Sequence, residues 1–263
     1  MDELKRRGYL EAMGITLWQR RALAMPSDPV APEQAAVVDT APAVERTSPV
    51  EIRRPEAPQS APPSRVSNTS VRPAAEQMDW PALRQTVRDC RACALRAGCT
   101  QTVFGVGDTG ADLMVIGEAP GADEDRQGEP FVGRAGQLLN AMLLAIGLPR
   151  ESVFIANIVK CRPPDNRDPR PEEALQCEPY LLRQIELIRP GMILAVGRIA
   201  AQNLLKTDIT VGKLRGRIHR FGERQIPLVV TYHPAYLLRS PEQKGKAWQD
   251  LQLALSGLRG RAV

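Results

Sequence analysis

The chain has 263 residues, of which 43% are hydrophobic and only 4% aromatic, a composition typical of a soluble globular protein. No apolar run is long enough to cross a membrane, and the N-terminus lacks the apolar core of a signal peptide, so we expect a cytoplasmic protein. The 35 Lys and Arg residues against 30 Asp and Glu residues give a formal net charge of +5, which suits a polyanionic partner without requiring one.

The first 78 residues divide into two segments of different composition. Residues 1–24 place apolar side chains at roughly helical spacing with basic residues between them, which predicts a short helical peptide. Residues 25–78 contain no aromatic residue and ten of the 23 prolines of the chain. Such a segment buries too little apolar surface to order itself, so we predict a disordered linker with an end-to-end distance of about 40 Å.

Residues 79–263 are predicted to form one domain. Asp79 is a suitable N-cap before Trp80 and Pro81, and the helix that it opens is expected to run through Cys90 and Cys93. Short apolar runs then alternate with helical patterns. The predicted strands are Asp112–Ala119, Val153–Val159, Met192–Val196 and Pro227–Tyr232. The predicted helices are Gln137–Ile146, Arg170–Ile188, Arg198–Leu205 and Pro241–Leu258.

This alternation predicts a three-layer α/β/α domain with a central, mostly parallel four-stranded sheet. Ligands of such sheets bind where the strands end at their carboxyl edge. The stretch 114–136 reads as a strand, a loop and a helix start, and its glycines, including Gly117 and Gly121, allow the backbone to approach a ligand closely. A glycine-rich turn of this kind is also common in proteins that bind nothing there.

Two polar residues lie at the same predicted edge. His233 follows the last apolar run, which makes a functional role as credible as a purely structural one. Asn157 interrupts a buried-strand pattern, so its amide either holds the backbone or faces a polar ligand such as the edge of uracil. The other histidine, His219, lies in a basic segment and is expected to be a surface residue or a phosphate contact.

Four cysteines have the spacing of a metal or cluster site. Cys90 and Cys93 form a close pair, followed after 67 and 15 intervening residues by Cys161 and Cys177. This spacing is compatible both with zinc and with an iron–sulfur cluster. The fifth cysteine, Cys99, is interpreted as a small buried apolar residue.

Specific motifs occur in order between residues 79 and 258. They are Gly-Glu-Ala-Pro-Gly at 117–121, Gly-Glu-Pro-Phe-Val-Gly-Arg-Ala-Gly at 128–136, Asn157 with Val-Lys-Cys-Arg-Pro-Pro at 159–164, Asn166, and His-Pro-Ala-Tyr-Leu-Leu-Arg at 233–239. Together they resemble the family 4 uracil-DNA glycosylases, a bacterial and archaeal type with a [4Fe–4S] cluster. The resemblance implies a monomeric, nucleoid-associated hydrolase that removes uracil from DNA and starts base-excision repair. It also places Cys90, Cys93, Cys161 and Cys177 on the ligand positions of the cluster.

The resemblance further assigns roles in binding a flipped uracil. Phe131 would stack on the base and Asn157 would read its Watson–Crick edge, while Glu124 would exclude the methyl group of thymine. His233 would donate a hydrogen bond to O2 as negative charge develops on the departing base. The first-loop residues Gly117, Ala119 and Gly121 would line the substrate.

Two further groups of residues follow from the same resemblance. In the wider superfamily a carboxylate activates water at the position of Ala119, so here Glu118 and Asn166 are expected to position the water. Leu237, Leu238 and Arg239 would form a wedge that fills the space left by the flipped base. The alternative to an enzyme is a cluster-bearing DNA-binding or clamp-loader adaptor protein that keeps the fold and does no chemistry.

The N-terminal peptide carries a separate resemblance. Residues 9–18, Tyr-Leu-Glu-Ala-Met-Gly-Ile-Thr-Leu-Trp, resemble the N-terminal peptide of the psi subunit of the bacterial DNA polymerase III clamp loader. That resemblance implies binding to the chi subunit. The alternative is a fraying amphipathic helix that packs on the glycosylase domain, although a long proline-rich tether suits a peptide that reaches a second protein.

Overall fold

A computed structural model describes Gly8 and residues 75–260. The predicted peptide at 1–24, apart from Gly8, and the predicted linker as far as residue 74 lie outside the described residues. The last predicted linker residues are ordered, because Ala75–Gln77 form a 3-10 turn and the side chains of Ala75 and Met78 are buried. Residues 75–78, which the prediction assigned to the linker, therefore pack against the domain.

The centre of the domain is a mixed sheet of six strands within residues 75–260. The strands are β1 (Val106–Gly107), β2 (Leu113–Gly117), β3 (Phe154–Asn157), β4 (Met192–Val196), β5 (Ile218–Phe221) and β6 (Ile226–Thr231). Their spatial order is β1-β3-β2-β4-β6-β5, in which β3, β2, β4 and β6 are parallel. These four are the predicted strands. The prediction of four strands in total was wrong, because β1 and β5 add an antiparallel strand at each edge.

Helices cover both faces of the sheet. They are α1 (Trp80–Arg88), α2 (Leu95–Gly98), α3 (Ala122–Gln127), α4 (Arg134–Ala145), α5 (Pro171–Ile188), α6 (Arg198–Leu205), α7 (Val211–Leu214), α8 (Pro234–Arg239) and α9 (Lys244–Arg259). Asp79 caps α1 as predicted, since its Oδ1 accepts a hydrogen bond from the Ala82 N–H at 2.9 Å. However, α1 ends at Arg88, so Cys90 and Cys93 follow the helix and do not lie in it.

Alternate residues of the parallel strands face opposite sides of the sheet. In β2, Met114 and Ile116 join a core cluster that includes residues of α5 and α6. Leu113 and Val115 join a second cluster that includes residues of α4 and α9. Both sides are therefore buried, which confirms the three-layer α/β/α prediction. Among the described residues, no helix is both long enough and apolar enough to span a membrane.

Candidate functional site

A cavity of about 800 Å³ opens at the carboxyl edge of the parallel strands. Each of these strands delivers residues to its wall, directly at the strand end or just after it, as expected for an open parallel sheet. The cavity brings together most of the predicted site residues: Glu118, Ala119, Gly121, Glu124, Phe131, Asn157, Asn166, His233 and Arg239. Residues that are far apart in the sequence thus meet at one edge of the sheet.

Asn157, the last residue of β3, places a buried amide in this cavity. Only 2% of the residue is exposed, and its Oδ1 has no hydrogen-bond partner among the described residues. Gly117 lies beside it in β2, and a Cβ atom at Gly117 would lie 2.5 Å from that oxygen. A buried acceptor without a partner is costly, so this oxygen is suited to a donor on a ligand.

Phe131 is held rigidly beside Asn157. Its φ angle of 55° is unusual for a bulky residue, and the surrounding contacts maintain it. Arg150 donates to the carbonyl oxygens of Phe131 and Pro130 at 3.2 and 2.6 Å. Gly136 permits the close packing, because a Cβ atom there would lie 1.8 Å from the Phe131 carbonyl oxygen. The ring therefore forms a fixed platform in the cavity wall.

Glu124 connects the two loops that border the cavity. Its Oε1 accepts hydrogen bonds from the N–H groups of Val132 and Gly133 at 2.9 and 3.2 Å. Its Oε2 accepts one from the Gly121 N–H at 3.1 Å. These bonds give Glu124 a clear positioning role that the sequence did not predict, in addition to its place in the cavity wall.

His233 presents its Nε2 edge as a donor. The Ala235 N–H donates to Nδ1 at 3.1 Å, so in the neutral ring the proton is assigned to Nε2. Burial lowers the pKa of His233 to about 4, and the charge of Arg239 acts in the same direction while Glu124 opposes it. The ring is therefore neutral at physiological pH. Its centroid lies 5.6 Å from that of Phe131.

Glu118 forms an acidic pair with a residue that the sequence did not single out. Burial and then Asp168, through its charge and a hydrogen bond, raise the pKa of Glu118 to about 7, while Arg198 lowers it. Asp168 in turn forms an ion pair with Arg198, and all three residues line the cavity. Asn166 lies in the same wall, where its Oδ1 accepts from Arg162 Nε at 2.8 Å.

The sequence of the domain matches known proteins. Residues 104–252 match the uracil-DNA glycosylase superfamily. The chain belongs to this family. A type-4 uracil-DNA glycosylase of Archaeoglobus fulgidus is 45% identical over 173 residues, which are 63% of this chain and 86% of that protein. Type-4 enzymes of Thermotoga maritima (42% identity; 65% of this chain, 91% of that protein) and Pyrobaculum aerophilum (41%; 68% and 95%) are also similar.

The predicted wedge of this glycosylase domain needs a correction. Leu237 is fully buried in the core, because on α8 it faces the sheet and contributes to the cluster shared with α4 and α9. It therefore cannot enter DNA in this conformation. Leu238, on the outer side of the helix, is 37% exposed, and Arg239 lines the cavity. These two residues are the exposed members of the predicted set.

The prediction for His219 also needs a correction. It lies in β5, is partly buried, and its Nε2 is 2.7 Å from the carbonyl oxygen of Leu214. A backbone partner inside the hairpin edge of the sheet accounts for this side chain. The prediction that it is a surface residue or phosphate contact is not supported.

The four predicted ligand cysteines of the glycosylase domain line one small cavity. The Tyr180 hydroxyl donates to Cys90 Sγ and the Lys160 N–H donates to Cys177 Sγ, both at 3.3 Å. Burial raises the pKa of the Cys177 thiol to about 11, and Cys90 and Cys93 act in the same direction, against the effect of Lys160. Four thiols that line one cavity, two of them with hydrogen bonds to sulfur, fit a thiolate-ligated group.

The structure describes these thiols without a bound group. Among the described residues, no three Cys, His, Asp or Glu side chains converge on a position suited to a single metal ion. Cys99 is buried as predicted, and its interaction with Cys161 lowers its pKa.

Several residues of the site were missed in the sequence. Gly197 and Tyr232 follow β4 and β6 into the cavity wall, so the same criterion that found His233 would have found them. Asp168 and Arg198 meet across a loop and a helix start, and no sequence spacing indicates that pair. Arg150 donates a hydrogen bond to the backbone carbonyl of Phe131. A contact to the backbone does not depend on the partner's side chain, so it produces no recognisable sequence motif.

Proposed function

We propose that this chain is a monofunctional uracil-DNA glycosylase that hydrolyses the N-glycosidic bond of deoxyuridine in DNA. The single observation that carries the proposal is the buried, unpaired Oδ1 of Asn157 in a cavity also lined by Phe131 and His233. A uracil edge offers the matching groups, because N3–H donates to Oδ1 and O4 accepts from the Asn amide. Membership in the uracil-DNA glycosylase superfamily supports the same reaction.

The residues of the cavity have complementary tasks in this proposal. The flipped base stacks on Phe131, whose fixed position reduces the cost of ordering the site. As the bond between C1′ and N1 breaks, its electron pair leaves with the uracil. Nε2–H of His233 then donates to O2, where the negative charge develops, so a neutral donor in a buried site stabilises the anion. Glu124 borders the position beside C5 and limits the room for a methyl group.

The attacking water is held on the other side of the sugar. Glu118 and Asn166 line the cavity with oxygen atoms suited to orient it. Ala119 leaves no carboxylate at the position that other superfamily members use. Leu238 and Arg239 are placed to occupy the duplex where the base has left, which keeps the base from returning to the stack.

A uracil-release assay tests the function. Full-length protein incubated with labelled oligonucleotides that contain U:G, U:A or single-stranded uracil is expected to leave abasic sites that alkali cleaves. Thymine in the same position is expected to remain intact. If no uracil is released from any of these substrates while DNA is bound, the chain is instead the non-catalytic cluster-bearing adaptor.

We propose that Cys90, Cys93, Cys161 and Cys177 hold a [4Fe–4S] cluster with a structural role. Their positions after α1, after β3 and in α5 mean that the cluster, when bound, ties three elements together. Anaerobically purified protein is expected to be brown and to contain about four iron and four sulfide ions per chain. Cys161→Ser is expected to lose the cluster and to lower the melting temperature, whereas Cys99→Ser should keep the iron. Stoichiometric zinc without iron would contradict the proposal.

The acidic pair predicts a pH dependence. If the Glu118 carboxylate orients the water, the rate of uracil release should rise with pH through about 7, where the group ionises. Asp168→Asn removes a negative charge that raises this pKa, so the rise should move to lower pH. Arg198→Gln removes a charge that lowers it, so the rise should move to higher pH. Single-turnover rates from pH 5 to 9 provide the measurement, and shifts in the same direction for both variants would contradict the assignment.

We also propose that the N-terminal peptide binds the chi subunit of the clamp loader. The support is the resemblance of residues 9–18 to the psi peptide and the proline-rich composition of the tether. Such a tether raises the effective concentration of the enzyme near exposed template strands. Calorimetric titration of residues 1–28 into purified chi should show saturable binding that Trp18→Ala weakens strongly. No heat of binding would remove this proposal and leave the glycosylase proposal unchanged.

A further inference from the structure

A second groove lies outside the cavity of the proposed active site. It has a volume of about 570 Å³ and runs between α1 and the segments around Gln101 and Gly128. Three arginines line it, namely Arg84, Arg88 and Arg96, against one carboxylate, that of Glu129. The proposed reaction assigns no task to this group of charges.

The arginines are arranged to meet a common ligand. Arg84 and Arg88 are four residues apart on α1, so both lie on the same face of the helix, and both are exposed. Within the part of the chain that the structure describes, none of the three forms an ion pair with a carboxylate. The groove therefore presents a concentration of positive charge that the domain itself does not neutralise.

Two of the side chains are held in place by neutral contacts. The guanidinium carbon of Arg84 lies over the Phe104 ring, 4.9 Å from its centroid, and this cation–π contact does not use the N–H donors of the side chain. Arg96 Nη1 donates to the carbonyl oxygen of Cys99 at 3.2 Å. Guanidinium groups fixed without an anionic partner are suited to bind the oxygen atoms of phosphates.

The groove and the cavity flank the same short segment. Gly128 and Glu129 line the groove, and Phe131 lines the cavity. Three residues span at most about 10 Å. One strand of duplex DNA advances by about 3.4 Å per nucleotide along the helix axis, so the near wall of the groove lies within about three nucleotides of the cavity.

We propose that the groove formed by Arg84, Arg88 and Arg96 binds the phosphate backbone of the substrate DNA, beside the nucleotides that flank the flipped base. The proposal rests on the proposed function, because it takes the DNA to be anchored in the cavity. In this proposal, α1 contributes directly to the affinity for substrate DNA. The contacts are electrostatic and carry no sequence preference.

The salt dependence of DNA binding tests this proposal. Affinity of the holoprotein for a labelled duplex without uracil is measured by fluorescence anisotropy over a range of KCl concentrations. Each phosphate contact contributes about 0.9 to the slope of log K against log salt concentration, so Arg84→Gln/Arg88→Gln should lower the slope by about 1.8. The matched control, Arg189→Gln/Arg224→Gln, removes two exposed charges that do not line the groove, one directly after α5 and one in the β5–β6 turn, and should leave the slope unchanged.

Other measurements separate this proposal from the proposed function. The rate of uracil release at saturating enzyme should stay within about twofold of wild type, because neither arginine touches the cavity. The duplex without uracil reports binding even if the wild-type protein releases no uracil. The single variant Arg88→Gln, at an exposed helix end, provides a folded protein with an expected slope change of about 0.9. A slope equal to wild type, or an equal change in the control, would overturn the proposal.

Discussion

Replacing His233 with Ala is expected to lower the rate of uracil release at saturating substrate by about 10²–10³-fold, the usual effect of removing a donor to a developing anion. The reason is that Nε2–H meets full negative charge on O2 only as the glycosidic bond breaks. Affinity for DNA should change little, because phosphate contacts by Lys and Arg supply most of it.

Single-turnover rates and anisotropy titrations on the same variant measure the two effects separately. His219→Ala is the matched control, since that ring bonds a backbone carbonyl outside the cavity and its loss should leave the rate near wild type. Equal losses of rate and affinity in His233→Ala would contradict its assignment as the donor to the base. A decrease in rate of tenfold or less in this variant would also contradict the assignment.

The protonation state of His233 adds a second check on this role. Burial lowers its pKa to about 4, below the ordinary histidine value near 6.5, so the ring loses its charge well below neutral pH. The rate should therefore show no inflection from this residue between pH 6 and 8. A fall in the rate as the pH drops below about 7 is assigned to the protonation of Glu118. The residual activity of His233→Ala should show the same fall.

The sequence predicted the strands that carry the site because they are buried on both faces. Such strands are continuous apolar runs between turn signals, and all four were found. The edge strands lack this signal. β1 has only two residues, and β5 alternates between exposed and partly buried positions. The end of α1 at Arg88 was also not predicted, and the cysteines that follow it line the cavity shared with Cys161 and Cys177.

The site residues that could be predicted are those at the ends of the parallel strands. Asn157 and His233 each stand at the end of a parallel strand, so topology alone brings them to one edge. On helix α8 the Leu237 side chain is buried in the core and the Leu238 side chain is exposed. No local feature of the sequence Leu237-Leu238-Arg239 predicts which of the two leucines is buried. The hydrogen bonds of Glu124 to three backbone N–H groups depend on loop geometry, which sequence spacing does not determine.

The second large effect is expected from a single added methyl group. Gly117→Ala should lower kcat/KM for uracil release by about 100-fold, the scale of a 1 Å misplacement of reacting groups. A Cβ atom at Gly117 would lie 2.5 Å from Asn157 Oδ1 and 2.6 Å from Phe131 Cζ, so one or both must move. The strand backbone itself accepts alanine, because Gly117 does not have a positive φ angle.

The neighbours of Gly117 have little freedom to yield. Phe131 is held by Arg150 at the backbone and by its close contact with Gly136, and Asn157 is buried at the end of β3. Gly110→Ala is the control, since the nearest atom to a Cβ there is Asp108 Oδ1 at an ordinary 3.6 Å. Phe131→Ala should cost less activity in the Gly117→Ala background than in wild type, because the methyl group has already displaced the ring. Full additivity of the two substitutions, or wild-type activity of Gly117→Ala, would show that the base does not bind between these side chains.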